Sequence, residues 1–175
     1  MSCEGTITVL PATPDDAFAV AWVHVASWQV AYRGLMPEAF LAGLSVERRE
    51  ASWRQSLARP AARSATLAAR AGETVIGFAS VGPSRDEGAG PEAGELYAIY
   101  VEPACWGVGA GRLLMDRALE RLRAEGFRAA TLWVLEENAR AIGFYAKAGW
   151  APDGSRRTET MGGAELREIR LARDV

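Results

Sequence analysis

Residues 6–10 (TITVL) alternate β-branched and apolar side chains and stop at Pro11, the pattern of a short strand near a sheet edge. Thr13, Pro14, Asp15 and Asp16 then set a capping hydroxyl ahead of a proline and two acids, which opens a helix reaching to about Tyr32. Its apolar positions Phe18, Trp22, Val25 and Trp28 recur at helical spacing. Residues 33–37 (RGLMP) break it, and two shorter helices follow. One covers 37–42; the other runs from a Ser45 cap to Leu57, with Arg48 where a capping box would carry Glu.

Strand-like runs at 64–70 (SATLAAR) and 74–81 (TVIGFASV) flank Ala71, Gly72 and Glu73, a hairpin signal with glycine in the turn. Residues 82–94 are rich in Gly, Pro and charge and read as a mobile loop. Residues 95–101 (ELYAIYV) are β-rich and bounded by Pro103. A glycine-rich turn then opens a periodic helix in which Leu114, Ala118 and Leu122 interleave with Met115 and Leu119 before Gly126 ends it. Residues 129–135 (AATLWVL) form an apolar run of strand length, 138–148 another helix, and strands near Trp150 and over 165–171 close the chain. The Arg156-Arg157 pair between them reads as a solvated hairpin tip. Strand, helix, strand, helix in the second half implies one parallel pair inside an otherwise antiparallel sheet, an α/β (α+β) fold of about seven strands with flanking helices.

The 175 residues are 49% apolar, with 20 basic and 22 acidic side chains and a net charge of −2. This is a globular composition, and its slight acidity argues against a protein that works by blanketing phosphates, so no nucleic-acid partner is expected. No signal-peptide profile or long apolar stretch stands in the sequence, so the chain reads as cytoplasmic, without a membrane partner. Cys3 and Cys105 are the two cysteines, one near a loose terminus, and assemble neither a disulfide framework nor a metal set. With His24 the one histidine and no G-x-S-x-G elbow, serine-hydrolase machinery is disfavoured. No metal is expected.

The chemistry concentrates in residues 100–112 (YVEPACWGVGAGR), a strand feeding a glycine-rich turn at a helix start. Glycines let backbone approach a ligand, and the free N–H groups and dipole of the helix suit a phosphate or pyrophosphate. The turn lacks the Gly-Lys-Ser/Thr of a P-loop, and G-x-G-x-G is not the dinucleotide fingerprint. It resembles the pyrophosphate loop of the GCN5-related N-acetyltransferases (GNAT), Q/R-x-x-G-x-G/A, which falls here on Trp106-x-x-Gly109-x-Gly111. Trp106 departs from the Gln/Arg position, where Arg112 is a nearby source of charge. Residues 138–150 (NARAIGFYAKAGW) resemble that family's second segment, Asn-x-x-Ala-x-x-Phe-Tyr-x-x-x-Gly-Phe. Two ordered matches about thirty residues apart are more specific than either alone.

The resemblance implies a single domain over 1–175, a sheet splayed at its centre to admit acetyl-CoA, and direct acetyl transfer to a primary amine of a small molecule in a ternary complex. It also allows a homodimer. By the same resemblance Ile99, Tyr100 and Val101 lie beside the pantetheine arm and thioester. Trp106, Gly107, Val108, Gly109, Ala110, Gly111 and Arg112 hold the pyrophosphate. Asn138 contacts the cofactor arm, and Tyr145 is the acid that protonates the leaving thiolate. Glu95 is the candidate general base, directly or through water, because strand alternation puts it on one face with Tyr97, Ile99 and Val101. Trp28 and Tyr32, one helical turn apart, are candidates for the acceptor pocket. Structural roles stay open beside these: Asn138 as a helix cap, Tyr145, Trp28 and Tyr32 as core aromatics, Glu95 as a solvated charge. Two other functions also remain: acetylation of peptide or protein N-termini, and a non-catalytic acyl-CoA-binding sensor.

Overall fold

The computed structural model describes Cys3 and residues 5–175. In chain order these form β1 (Ile7–Pro11), α1 (Ala17–Ala31), α2 (Glu38–Ala42), α3 (Val46–Ala58), β2 (Ala65–Ala71), β3 (Thr74–Pro83) and β4 (Ala93–Val101). Then come α4 (Ala110–Ala124), β5 (Ala129–Leu135), α5 (Ala139–Lys147), β6 (Ala151–Met161) and β7 (Ala164–Asp174). The seven strands make one sheet in the order β1-β2-β3-β4-β5-β7-β6. Only β4 and β5 pair in parallel, and α4 supplies the crossover that a parallel pair requires. The mixed, mostly antiparallel sheet expected from the pattern is the one observed.

On one side of the sheet α4 buries Leu114, Met115, Ala118, Leu119 and Leu122 against strand residues such as Ala79, Val81 and Leu132. This is the stripe its periodicity announced. On the other side α1 departs from its expected stripe. Phe18 and Trp22 are 54% and 43% exposed, while Val20 and Val23 are fully buried. The helix lies between the sheet, where Val20 and Val23 meet Phe78, and α3. Apolar residues therefore line more than one of its faces, and aromatic spacing does not mark the buried one. His24 accepts a hydrogen bond at Nδ1 from Trp53 Nε1 at 3.3 Å. Burial, reinforced by the nearby Arg49, pushes its pKa down to about 3, so it is a neutral core residue.

The cysteines correct the reading from composition: Cys3 and Cys105 are bonded, with Cα atoms 5.5 Å apart although the residues are 102 positions apart in sequence. Because α4 packs across β1, β2 and β3, the turn leading into α4 lies over the start of the chain. Among the described residues, no helix is long and apolar enough to cross a membrane.

Two irregularities of β4 position the site. Its pairing with β5 is confined to Ala93–Glu95 against Ala129–Thr131. Beyond that point β4 stays with β3 as far as Val101, and β5 stays with β7 as far as Leu135, so a gap opens between them. The second is a bulge: Leu96 faces Val81 and Ala98 faces Ser80, which leaves Tyr97 as an extra residue. A bulge reverses the inward and outward alternation. Leu96, Ile99 and Val101 accordingly all pack into the core under α4, whereas Ala98 and Tyr100 pack beside Phe78 on the α1 side. Glu95 thus lies on the opposite face from Ile99 and Val101, and the expected shared face is corrected.

Candidate active site

The gap between β4 and β5 exposes backbone. Glu102 N–H donates to the Ile76 carbonyl at 2.8 Å. In an antiparallel ladder every second pair is hydrogen-bonded, so Tyr100 is bonded to β3 and the polar groups of Ile99 and Val101 point into the gap. The Val101 carbonyl accepts from Ser27 Oγ at 3.0 Å and from Trp106 Nε1 at 2.8 Å. The N–H groups of Ile99 and Val101 and the Ile99 carbonyl remain in the gap. Tyr100 turns its backbone to β3 and its ring to the α1 side, away from this backbone edge.

At the end of the gap lies the glycine turn. Gly107 and Gly109 have φ of 89° and 93°, and a Cβ on either would meet nothing within 4 Å. Glycine is therefore required here by backbone conformation and not by crowding, and the space over the turn is open. Gly109 caps α4 without a side-chain bond, and the first bond into the helix is Leu113 N–H to Gly109 O at 3.1 Å. The N–H groups of Ala110, Gly111 and Arg112 thus have no intrahelical acceptor. Open space, a positive helix end and converging amides form a donor set that fits a diphosphate. The exposed Val108 adds its backbone to the same turn.

The side chains around this turn divide in an unexpected way. The indole N–H of Trp106 is committed to Val101. The Arg112 side chain, 88% exposed, runs along α4 to Asp116 at 4.0 Å. Asn138 caps α5 through Oδ1, which accepts from Ala141 N–H at 3.0 Å, and among the described residues its amide Nδ2 has no hydrogen-bond acceptor. Arg140, in the first turn of α5, lies over the Trp106 ring at 3.2 Å from its centroid.

On the α1 side the gap widens into a cleft of about 470 Å³. Trp28 and Tyr32 line it, packed edge to face at 5.0 Å, and the Tyr32 and Tyr100 hydroxyls are 3.4 Å apart. Burial raises both phenols above the ordinary range, so they are neutral donors. Glu95 forms the floor, 2% exposed. Its Oε2 accepts from Arg85 N–H at 2.8 Å, and Oε1 accepts from Arg85 Nε at 3.1 Å and from the terminal guanidinium nitrogen. The segment expected to be mobile is pinned here, and again at Asp86, which accepts from Trp133 Nε1 and from Arg170, each at 2.8 Å. Burial alone would raise the Asp86 carboxyl; the Trp133 and Arg170 bonds outweigh it and hold the group below its usual range.

Arg157 is likewise no hairpin tip. It lies within β6, donates to Glu168 at 2.6 Å and stacks on Trp133 at 4.3 Å. The tip falls at Gly162 and Gly163, with φ of 60° and 82°. Arg156 is exposed and pairs with Glu136. The cleft lining carries the carboxylates of Asp86, Glu95, Glu159 and Glu168 against the guanidiniums of Arg85 and Arg157, an excess of acid within aromatic walls. Tyr145 is half-buried between Phe144 and Trp150, at centroid distances of 5.4 and 6.4 Å. Burial, helped by the neighbouring Tyr100, lifts its pKa well above that of a free phenol.

Sequence reasoning places the glycine turn, Asn138, Tyr145, Glu95, Trp28 and Tyr32 around this gap, and the fold brings them there. It misses Arg85, Trp133, Arg157 and Glu168. Trp133 and Glu168 sit in strands that read simply as apolar or mixed, and Arg85 in a segment that reads as loop. The one local signal was Trp133, an aromatic on the second face of an otherwise aliphatic strand.

Comparison with known proteins agrees with this geometry. Residues 26–150 match the model of the Acetyltransferase (GNAT) family. The chain is 35% identical over 140 residues to the uncharacterized N-acetyltransferase YuaI of Bacillus subtilis, which covers 80% of this chain and 78% of that protein. A shorter stretch of 59 residues is 48% identical to mycothiol acetyltransferase of Beutenbergia cavernae, spanning only 20% of that protein. Among solved structures, PaiA N-acetyltransferase from Thermoplasma acidophilum in complex with coenzyme A superposes with a TM-score of 0.75 at 20% identity, covering 97% of this chain and 99% of that one. The family match over residues 26–150 makes the protein an acyl-group transferase. The chain belongs to the GNAT acetyltransferase family and is an N-acetyltransferase that uses acetyl-CoA.

Proposed function

We propose that the protein acetylates the primary amine of a small cationic molecule, by direct transfer in a ternary complex. The observation that carries this reading is the acidic, aromatic-walled cleft that opens where β4 leaves β5. Such a lining favours an alkylammonium through charge and cation–π attraction. Acetyl-CoA supplies the acetyl group as an activated thioester. Direct transfer is supported by the engagement of both cysteines in the disulfide, which leaves no free thiol among the described residues.

Each residue has a task. The amides of residues 107–112 hold the diphosphate, and the outward N–H groups of Ile99 and Val101 align the arm and polarise the thioester carbonyl. Asn138 Nδ2 reaches the arm from the α5 cap. Tyr145, protonated at neutral pH, is the acid for the departing thiolate. Glu95 is the base: a carboxylate has about four lone-pair positions, and Arg85 takes three, leaving one on Oε2 for a water or ammonium. Trp28 and Tyr32 flank the acceptor.

A thiol reagent that reports CoA release, with polyamines, amino acids and short peptides as acceptors, tests the reading. Polyamines or other small cationic amines are expected to give the highest kcat/KM. Preference for peptide N-termini, or binding of acetyl-CoA without release for any amine, overturns it. Glu95→Gln should slow turnover with acetyl-CoA affinity unchanged; an intact rate excludes Glu95 as base.

A further inference from the structure

In this chain the charged partner of the diphosphate comes from α5, not from the glycine turn. The first position of the turn, where the resembled pattern has Gln or Arg, is Trp106, and its single donor is bound to the Val101 carbonyl at 2.8 Å. The turn's own arginine, Arg112, is drawn outward toward Asp116. The Arg140 guanidinium lies over the Trp106 ring at 3.2 Å. One helical turn further along α5, Phe144 touches the α4 start, 3.4 Å from where a Gly111 Cβ would be. The Arg140 and Phe144 side of α5 therefore runs beside the turn and the free N–H groups of α4. Among the described residues, Arg140 forms no ion pair with a carboxylate.

We propose that Arg140, held over the Trp106 ring, binds the pyrophosphate of acetyl-CoA and replaces the side chain that the turn lacks. Stacking uses the face of a guanidinium and leaves its in-plane N–H donors free to fork onto phosphate oxygens. Partial burial lowers the Arg140 pKa from its ordinary value. Trp106 acts as a positioning residue: bonded to β4 beneath, it offers its ring as the platform. The inference rests on the reading of residues 107–112 as a diphosphate site.

Calorimetry on Arg140→Ala tests it with three donors: acetyl-CoA, its 3′-dephospho form, and S-acetyl-pantetheine, which has no phosphate. A roughly tenfold or greater loss of affinity for the first two, equal for both, is expected from removing a charge-assisted fork. Turnover with S-acetyl-pantetheine should not change, which a merely structural role for Arg140 does not predict. Arg140→Lys should recover part of the affinity, since it keeps the charge but not the fork. Trp106→Arg in the Arg140→Ala background should recover most of it. Unchanged affinity, a loss confined to the 3′-phosphorylated donor, or an equal loss on S-acetyl-pantetheine overturns the proposal. If the unmodified protein fails to bind acetyl-CoA, the diphosphate site itself is misread, whatever Arg140 does.

Discussion

In the proposed mechanism Tyr145 serves packing and chemistry together. Its ring is wedged between Phe144 and Trp150, and the burial that fixes the ring also raises the pKa of its hydroxyl. A phenol carries its proton at neutral pH and can give it to a thiolate, while burial makes it a weaker acid. Tyr145→Phe removes the proton and keeps the packing, so kcat should fall about a hundredfold or more, with affinity for acetyl-CoA unchanged by calorimetry. An undiminished rate would remove Tyr145 from the mechanism. Glu95, the proposed base, illustrates the opposite relation: strand alternation puts it on a face with Ile99 and Val101, and the bulge at Tyr97 carries it to the other one.

At the scale of elements, the turn between β4 and α4 is set by backbone conformation. Gly109 holds a φ of 93° with empty space where a Cβ would go. Gly109→Ala therefore adds strain without a clash, costing about 1–2 kcal/mol. It should also displace the α4 amides and weaken acetyl-CoA binding. Gly143 is the contrast, a helical glycine of ordinary φ in α5 with the same open surroundings. Gly143→Ala should gain up to about 1 kcal/mol and leave binding unchanged. Denaturant unfolding and calorimetry on the two variants separate backbone strain from helix propensity.

For the whole molecule, the bridge from Cys3 to Cys105 ties the start of the chain to the turn that enters the site. It closes a long loop, so it removes freedom mainly from the unfolded chain. Reduction, or Cys105→Ser, should lower stability by about 2–4 kcal/mol, read as a fall in unfolding midpoint with reductant. An identical midpoint in both conditions would mean that the bridge does not form in solution. The same scale sets the acceptor cleft. Its walls come from α1, the 84–92 connection, β4, β5 and the β6–β7 hairpin, segments that meet only when the sheet is complete.

By itself the sequence determined the order of elements, the parallel pair within an antiparallel sheet, the glycine turn and the capped α5 with its tyrosine. These are legible because each is written in consecutive residues: periodicity, caps and turn glycines act over a few positions. Only the tertiary structure decided which side of α1 is buried, which face Glu95 occupies, that Cys3 meets Cys105, that Arg157 and Arg85 line a cleft, and that Arg140 stacks on Trp106. Each depends on a register, a bulge or a packing contact between residues far apart in the chain. A one-residue slip in strand pairing turns every following side chain to the other face, and nothing local in residues 93–101 marks the slip at Tyr97.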